Sequence, residues 1–162
     1  VDFNERAHRQ WQAILPGKDV DSLLTTGRIL RIASFLLATS EEIVGAHNLT
    51  RGEFDLLSAV RRSGKNCRAT ELSVLTKSSG AAITKRLDRL SAAGLVSRQV
   101  LPRDRRVVMV DLTDAGRELV DKLLPLVTVA EGKLLADFDE QEIKQFGEFL
   151  ARLQAAVDPV QY

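Results

Sequence analysis

The sequence carries one cysteine, Cys67, and two histidines, His8 and His47, that stand far apart. A lone thiol cannot close a disulfide within the chain, and one Cys with two scattered His makes no metal constellation, so neither cofactor nor metal is expected. So sparing a use of cysteine fits a reducing, cytoplasmic compartment. No stretch approaches the ~18 consecutive apolar residues of a membrane-spanning helix, which leaves no membrane partner. Residues 1–15 are charged and helical in pattern rather than an apolar signal, and a chain that starts at Val1 reads as trimmed or partial. No nucleophile stands beside a base, no carboxylates pair, and no glycine-rich loop could cradle a phosphate, so an enzyme is not expected. Repeats and low-complexity tracts are missing too.

Net charge is nearly absent as well, at +1. Its distribution is lopsided: residues 51–106 hold 13 Lys and Arg against 5 Asp and Glu, or +8, and the remainder holds 10 against 17, or −7. Basic charge gathered in one part of a near-neutral chain marks a surface for a polyanion. At 162 residues, 44% hydrophobic and 28% charged, the chain can bury one good core, or a small domain plus an interface.

Residues 78–112 organise the rest. Ile83, Leu87 and Leu90 recur at i, i+4 and i+7, so one stripe of a helix faces a core and Thr84, Lys85, Asp88 and Arg89 face outward. Ser78 or Ser79 is the expected N-cap, and the short chains of Ser79, Gly80, Ala81 and Ala82 let the positive helix end approach a major groove closely. Gly94 supplies the left-handed stop. Two short strands follow, over Val96–Leu101 and residues 107–112, bridged by Pro102, Arg103, Asp104, Arg105 and Arg106. Three guanidinium groups on a hairpin tip repel one another and have nothing apolar to pack on. The order of helices, turn, third helix and basic hairpin is that of a winged helix-turn-helix.

Around this centre, residues 3–15 place Phe3, Ala7, Trp11 (or Gln10), Ile14 and Leu15 on one side of a short appended helix that Pro16 and Gly17 end. Over residues 20–46 apolar side chains cover nearly the whole circumference, which predicts a helix buried on more than one side. Thr50 and Glu53 have capping-box spacing, so a helix runs over about Arg51–Ser63 with Phe54, Leu57 and Val60 inward. Gly64, Lys65 and Asn66 read as a loop, Cys67 as part of it, and residues 70–77 as a short helix. Thr113 and Asp114 cap a helix to about Phe138, interrupted or bent at Pro125, and Asp139 with Glu142 starts the last one. The flanking helices carry more apolar surface than so small a centre can cover. A second copy of the chain is the natural partner, and a two-fold dimer would present two reading helices to a pseudo-palindromic duplex.

The sequence resembles the MarR family of bacterial transcription regulators over most of its length. The carriers are Leu49-Thr50-Arg51-Gly52-Glu53-Phe54-Asp55-Leu56-Leu57, Ala69-Thr70-Glu71-Leu72, Ser79-Gly80-Ala81-Ala82-Ile83-Thr84-Lys85-Arg86-Leu87, Ala93-Gly94-Leu95-Val96, and Asp104-Arg105-Arg106 before Leu112-Thr113-Asp114-Ala115-Gly116. The resemblance implies a mainly α fold with a small β-wing: an appended helix over residues 1–16, a winged helix-turn-helix DNA-binding domain over 49–112, and a helical dimerisation domain from 20–48 and 113–162. It implies a homodimeric regulator, a repressor on this reading, that meets double-stranded DNA through Ser79, Ala81, Thr84, Lys85 and Arg89 on the helix. On the wing, Arg106 would enter a minor groove, Arg103 and Arg105 would meet phosphate, and Asp104 would orient the arginines.

A narrower resemblance, to the urate-responsive branch of that family, rests on the appended helix with Trp11, on Asp55 and on Arg86. It implies a ligand site for a small anionic aromatic molecule, urate or a related purine: an indole offers a stacking face and a donor, and a guanidinium binds two acceptors side by side. A ligand that seizes Arg86 of the reading helix would release the operator. Two alternatives belong beside it. One is a regulator that answers a phenolic anion; the other senses oxidants through Cys67, with Lys65 and Arg68 lowering its pKa.

Overall fold

A computed structural model of the protein describes residues 1–64 and 67–158, apart from the side chains of Arg105 and Arg106. Seven α-helices and three short strands follow one another in it: α1 (Phe3–Ile14), α2 (Thr26–Gly45), α3 (Arg51–Ser63), β1 (Cys67–Arg68), α4 (Ala69–Leu75), α5 (Gly80–Ala92), β2 (Val96–Leu101), β3 (Asp104–Leu112), α6 (Asp114–Gly132) and α7 (Glu140–Val157). Asp21–Leu24 and Lys133–Leu135 are short 3-10 turns. The expected mainly α fold with a small wing is the fold observed.

Polar side chains set the helix starts. Thr50 and Glu53 close the capping box of α3, with Thr50 N donating to Glu53 Oε2 at 2.8 Å and Glu53 N to Thr50 Oγ1 at 3.2 Å. Asp139 and Glu142 do the same for α7, and Ser79 rather than Ser78 caps α5 by accepting from Ala82 N at 3.2 Å. Each cap satisfies amides that the first helical turn leaves without a partner.

The core lies where α3, α4, α5 and the sheet meet the first half of α6. Phe54, Leu56 and Leu57 of α3, Leu72 of α4, and Ile83, Leu87 and Leu90 of α5 are buried there with Val96, Val110 and Leu112 of the sheet and Val120, Leu123 and Val127 of α6. The sheet is antiparallel in the order β1-β3-β2, with Cys67 opposite Val110 and Val96 opposite Leu112.

The segment Leu112-Thr113-x-x-Gly116 has a clear structural task. Thr113 Oγ1 donates to Gly94 O at 2.7 Å while accepting from Gly116 N at 3.1 Å, so one hydroxyl ends the stop after α5 and begins α6. Gly94 takes φ +71°, the left-handed conformation that this stop requires. A Cβ on Gly116 would fall 2.1 Å from Leu95 O, so only glycine lets α6 approach that carbonyl.

Leu30, Phe35 and Leu37 of α2 are more than half exposed in the single chain, so the centre does leave this helix uncovered. Three expectations need correction. β3 begins at Asp104 rather than residue 107, and the tip turn shrinks to Pro102 and Arg103, because an irregular register places Leu101 opposite Asp104 next to the Val100–Val108 pair. Cys67 is not in a loop: it is buried in β1, held as the third strand by Val110. α6 ends at Gly132 and runs on through Pro125 without a break, where Thr128 Oγ1 donates back to Leu124 O and Pro125 O. Of the predicted loop at residues 64–66, Lys65 and Asn66 lie outside the described residues.

Two outcomes follow from this packing. Gly116→Ala should lower stability by about 1–3 kcal/mol through overpacking at Leu95, read as a reduced urea midpoint; an unchanged midpoint would mean that the approach is not tight. The Cys67 thiol is pushed above its ordinary pKa by burial and by the charge of Glu71, whose Oε2 lies 3.7 Å from the sulfur. Thiolate, the reactive form, therefore appears only at higher pH than for a free cysteine. Alkylation near neutral pH should be slow in the native protein and fast in urea, and equal rates would contradict this burial.

Candidate functional site

The face of α5 opposite its buried stripe is open. Ser79, Gly80, Ala81, Thr84, Lys85, Asp88 and Arg89 are exposed on it, and the small residues of the first turn leave the free amide end uncovered. Thr84 Oγ1 donates to Gly80 O at 3.0 Å. Asp88 receives Arg98 Nη1 of β2 at 2.6 Å, which ties helix and wing into one surface. Arg89 leans back, with its guanidinium 3.3 Å from the buried Glu53 carboxylate and 3.4 Å from Asn48 O, while its side chain stays largely exposed. On the wing, Arg103 is exposed at the turn and Asp104 opens β3. The backbones of Arg105 and Arg106 continue β3; their side chains lie outside the described residues.

The three residues expected to hold a ligand stand apart. Trp11 is half exposed on α1, which packs on the 3-10 turn Asp21–Leu24 and is pinned there by His8 Nε2 to Asp21 Oδ1 at 2.7 Å and Asn4 Nδ2 to Leu23 O at 3.2 Å. Asp55 is in the middle of α3 and accepts from Arg51 Nε at 2.8 Å. Arg86 donates to Ser78 Oγ at 2.7 Å and lies so flat on the start of α3 that a Cβ at Gly52 would meet its guanidinium at 2.5 Å. Of the three, only Asp55 lines a cleft of about 750 Å³ between α3, the end of α4, α6 and α7.

That cleft brings forward residues that sequence reasoning did not assign to a site. Arg51 reaches Asp55, Glu131 of α6 at 3.3 Å, and Ser40 Oγ of α2. Burial works against its charge, but the carboxylates of Asp55 and Glu131 outweigh it and raise the pKa. Lys77 meets Asp158 at 2.7 Å, and Ser58 and Arg62 line the floor. The i, i+4 spacing of Arg51 and Asp55 was a visible signal; the partners on α6 and α7, distant in sequence, were not. Among the described residues, no group of three or more His, Cys, Asp or Glu could hold a metal, and no helix is long and apolar enough to cross a membrane.

Known proteins resemble both the sequence and the fold. Residues 47–107 match the model of the MarR family. The HTH-type transcriptional regulator PecS of Dickeya dadantii (strain 3937) is 28% identical over 148 residues, covering 90% of this chain and 89% of PecS. A cysteine-to-serine mutant of Escherichia coli MarR, complexed with operator DNA, superposes with a TM-score of 0.71 at 23% identity, over 84% of this chain and 99% of that one. Bordetella bronchiseptica BpsR, in a structure that concerns regulation of its DNA binding by 6-hydroxynicotinic acid, gives 0.73 at 24% identity, over 85% and 98%. The family match spans α3, α4, α5 and most of the wing, a transcriptional regulator aligns along nine-tenths of the chain, and the fold is that of solved MarR-family structures, so residues 47–107 are similar to the MarR family and the whole chain shares its fold.

Proposed function

We propose that the chain is a sequence-specific DNA-binding regulator, acting as a repressor, that grips a pseudo-palindromic operator as a homodimer and is released by a small planar anion such as urate or a related purine. The observation that carries the DNA reading is the continuous exposed surface formed by the small-residue start of α5 and the arginine-bearing wing, joined by Arg98 and Asp88. Ser79, Ala81, Thr84, Lys85 and Arg89 serve the major groove, and Arg103, Arg105 and Arg106 serve phosphates and the minor groove, with Asp104 orienting them. Residues 49–112 are the reading domain, 20–48 and 113–162 the dimerisation domain, and 1–16 an appended helix. Support for a second copy comes from α7, which buries none of its residues in the single chain, and from the bare apolar side chains of α2. Such surface is costly in water and suits a two-fold partner.

For the ligand, Asp55 on the wall of a cleft beside Arg51 supports a site between the two domains. Arg86 stands against Gly52 and holds Ser78, one residue before the cap of α5, so a ligand that draws Arg86 away moves the reading helix. Trp11 offers an indole face for a planar ring. Linkage makes the effect mutual: ligand weakens DNA by the factor that DNA weakens ligand, about 1–3 kcal/mol in typical cases. BpsR, whose DNA binding answers to 6-hydroxynicotinic acid, keeps a hydroxylated aromatic anion as the second candidate. Sensing through Cys67 is disfavoured by its burial and by the acidic neighbour that keeps it a thiol.

In a salt-dependent mobility shift with operator DNA, Arg106→Ala should weaken binding by about tenfold or more without changing the sedimenting species, and Lys85→Ala should lower the salt slope by about one. Binding unaffected by either change would remove the wing and the helix face from the interface. Calorimetry with urate on Trp11→Phe, Asp55→Ser and Arg86→Ser should return weaker binding than the native protein in each case. Equal heats across the series would detach these residues from the ligand.

A further inference from the structure

The cleft that Asp55 lines is closed by charge from both sides. At one end Arg51 of α3 binds Glu131 of α6 at 3.3 Å; at the other Lys77, just after α4, binds Asp158, just after α7, at 2.7 Å. Both pairs therefore run from the reading domain to the long helices. Between them, along one face of α3, Asp55, Ser58 and Arg62 follow at i, i+3 and i+7. Ser58 Oγ is sealed from solvent and is the one buried side-chain polar atom without a hydrogen-bond partner among the described residues. A hydroxyl left unpaired out of reach of water is unfavourable and gains from any change that brings it an acceptor or donor. Of the three cations lining the cleft, Arg51 and Lys77 are held by carboxylates, whereas Arg62 faces none among the described residues.

We infer that this cleft takes the anionic effector by partner exchange: Arg62 and Ser58 receive it, and its negative charge displaces Glu131 from Arg51, so that filling the site unlatches the reading domain from α6. The inference rests on the ligand reading above through Asp55, the one residue of that set that lines this cleft, and adds to it the residues that hold the charge and the latch that they open. Charge balance favours the exchange. The lining carries three cations and three carboxylates, Asp55, Glu131 and Asp158, so an anion that enters at Arg62, unpaired among the described residues, leaves the cleft net negative and competes with Glu131 for the neighbouring Arg51. Arg51 is the cation for which this has consequences, because the same guanidinium also reaches Ser40 of α2. Urate suits the exchange, since it has a single negative charge and several acceptors on one edge for a guanidinium and a hydroxyl.

Ser58 and Glu131 act in opposite directions, which separates a latch from a merely structural role. By calorimetry of the full chain with urate, Ser58→Ala should bind about tenfold more weakly, having lost a hydrogen bond to the ligand. The near-isosteric Glu131→Gln should bind severalfold more tightly, because the competitor for Arg51 has lost its charge; a general loss of structure could not produce that gain. Thermal melts of both variants establish that they are folded. An unchanged affinity in either variant, or a weaker one in Glu131→Gln, overturns the exchange and leaves the ligand reading standing. A native protein that shifts operator DNA yet takes up no urate overturns the ligand reading itself, and the exchange with it.

Discussion

One turn of helix, the first of α3, joins α5 to α2 and α6. Arg51, Gly52 and Glu53 are consecutive, so their side positions point about 100° apart, and the first meets the long helices while the other two meet α5. Arg51 reaches Ser40 of α2 and Glu131 of α6. Gly52 lies under the guanidinium of Arg86, which would have to move to make room for any side chain there. Glu53 is buried, closes the cap with Thr50, and faces Arg89 of α5. Arg86 and Arg89 of α5 thus both answer to the start of α3, while the first residue of α3 answers to the long helices.

This arrangement gives the division of charge a purpose. The basic surplus of residues 51–106 is consumed in part internally, where Arg51, Arg61, Arg89 and Arg98 are paired with acids of α3, α5 and α6. Lys85 of α5 and Arg103 of the wing remain facing outward. The apolar excess of α2, α6 and α7 is separated from them by the core around Leu56, Leu57 and Leu123. A near-neutral chain in this way carries a cationic surface and a bare apolar one apart from each other.

Local chemistry is well written into the sequence. The caps at Thr50, Ser79, Thr113 and Asp139, the stop at Gly94, and the inward stripe of Ile83, Leu87 and Leu90 are all decided within four residues, and all are legible. Contacts made across the chain are not. Two residues of β1 have no periodicity to read, so Cys67 resembles loop until Val110 supplies its partner. The tip of the wing tightens because pairing across the hairpin, rather than local preference, fixes where β3 begins. Arg51 and Asp55 can be paired on one helix face, but neither Glu131 nor the cleft between them is a local property. The apolar residues of α2 go all the way round, and periodicity does not say which of them pack within the chain and which stay bare.

Magnitudes favour a latch over a deformation. The core that holds α3 to α6 buries whole Leu and Val side chains, each worth about 1.5–3 kcal/mol, so no small ligand could prise the helices apart by competing with it. Ion pairs with partly exposed partners are worth far less, about 0–1 kcal/mol, and the Arg51–Glu131 and Lys77–Asp158 pairs are of that kind. A coupling of about 1–3 kcal/mol between effector and DNA lies between these two scales. It exceeds what one such pair can resist and falls short of what the core would demand. On the proposed reading the helices would turn as rigid pieces about an intact core, and the contacts at the rim of the cleft would be the ones that a small ligand exchanges.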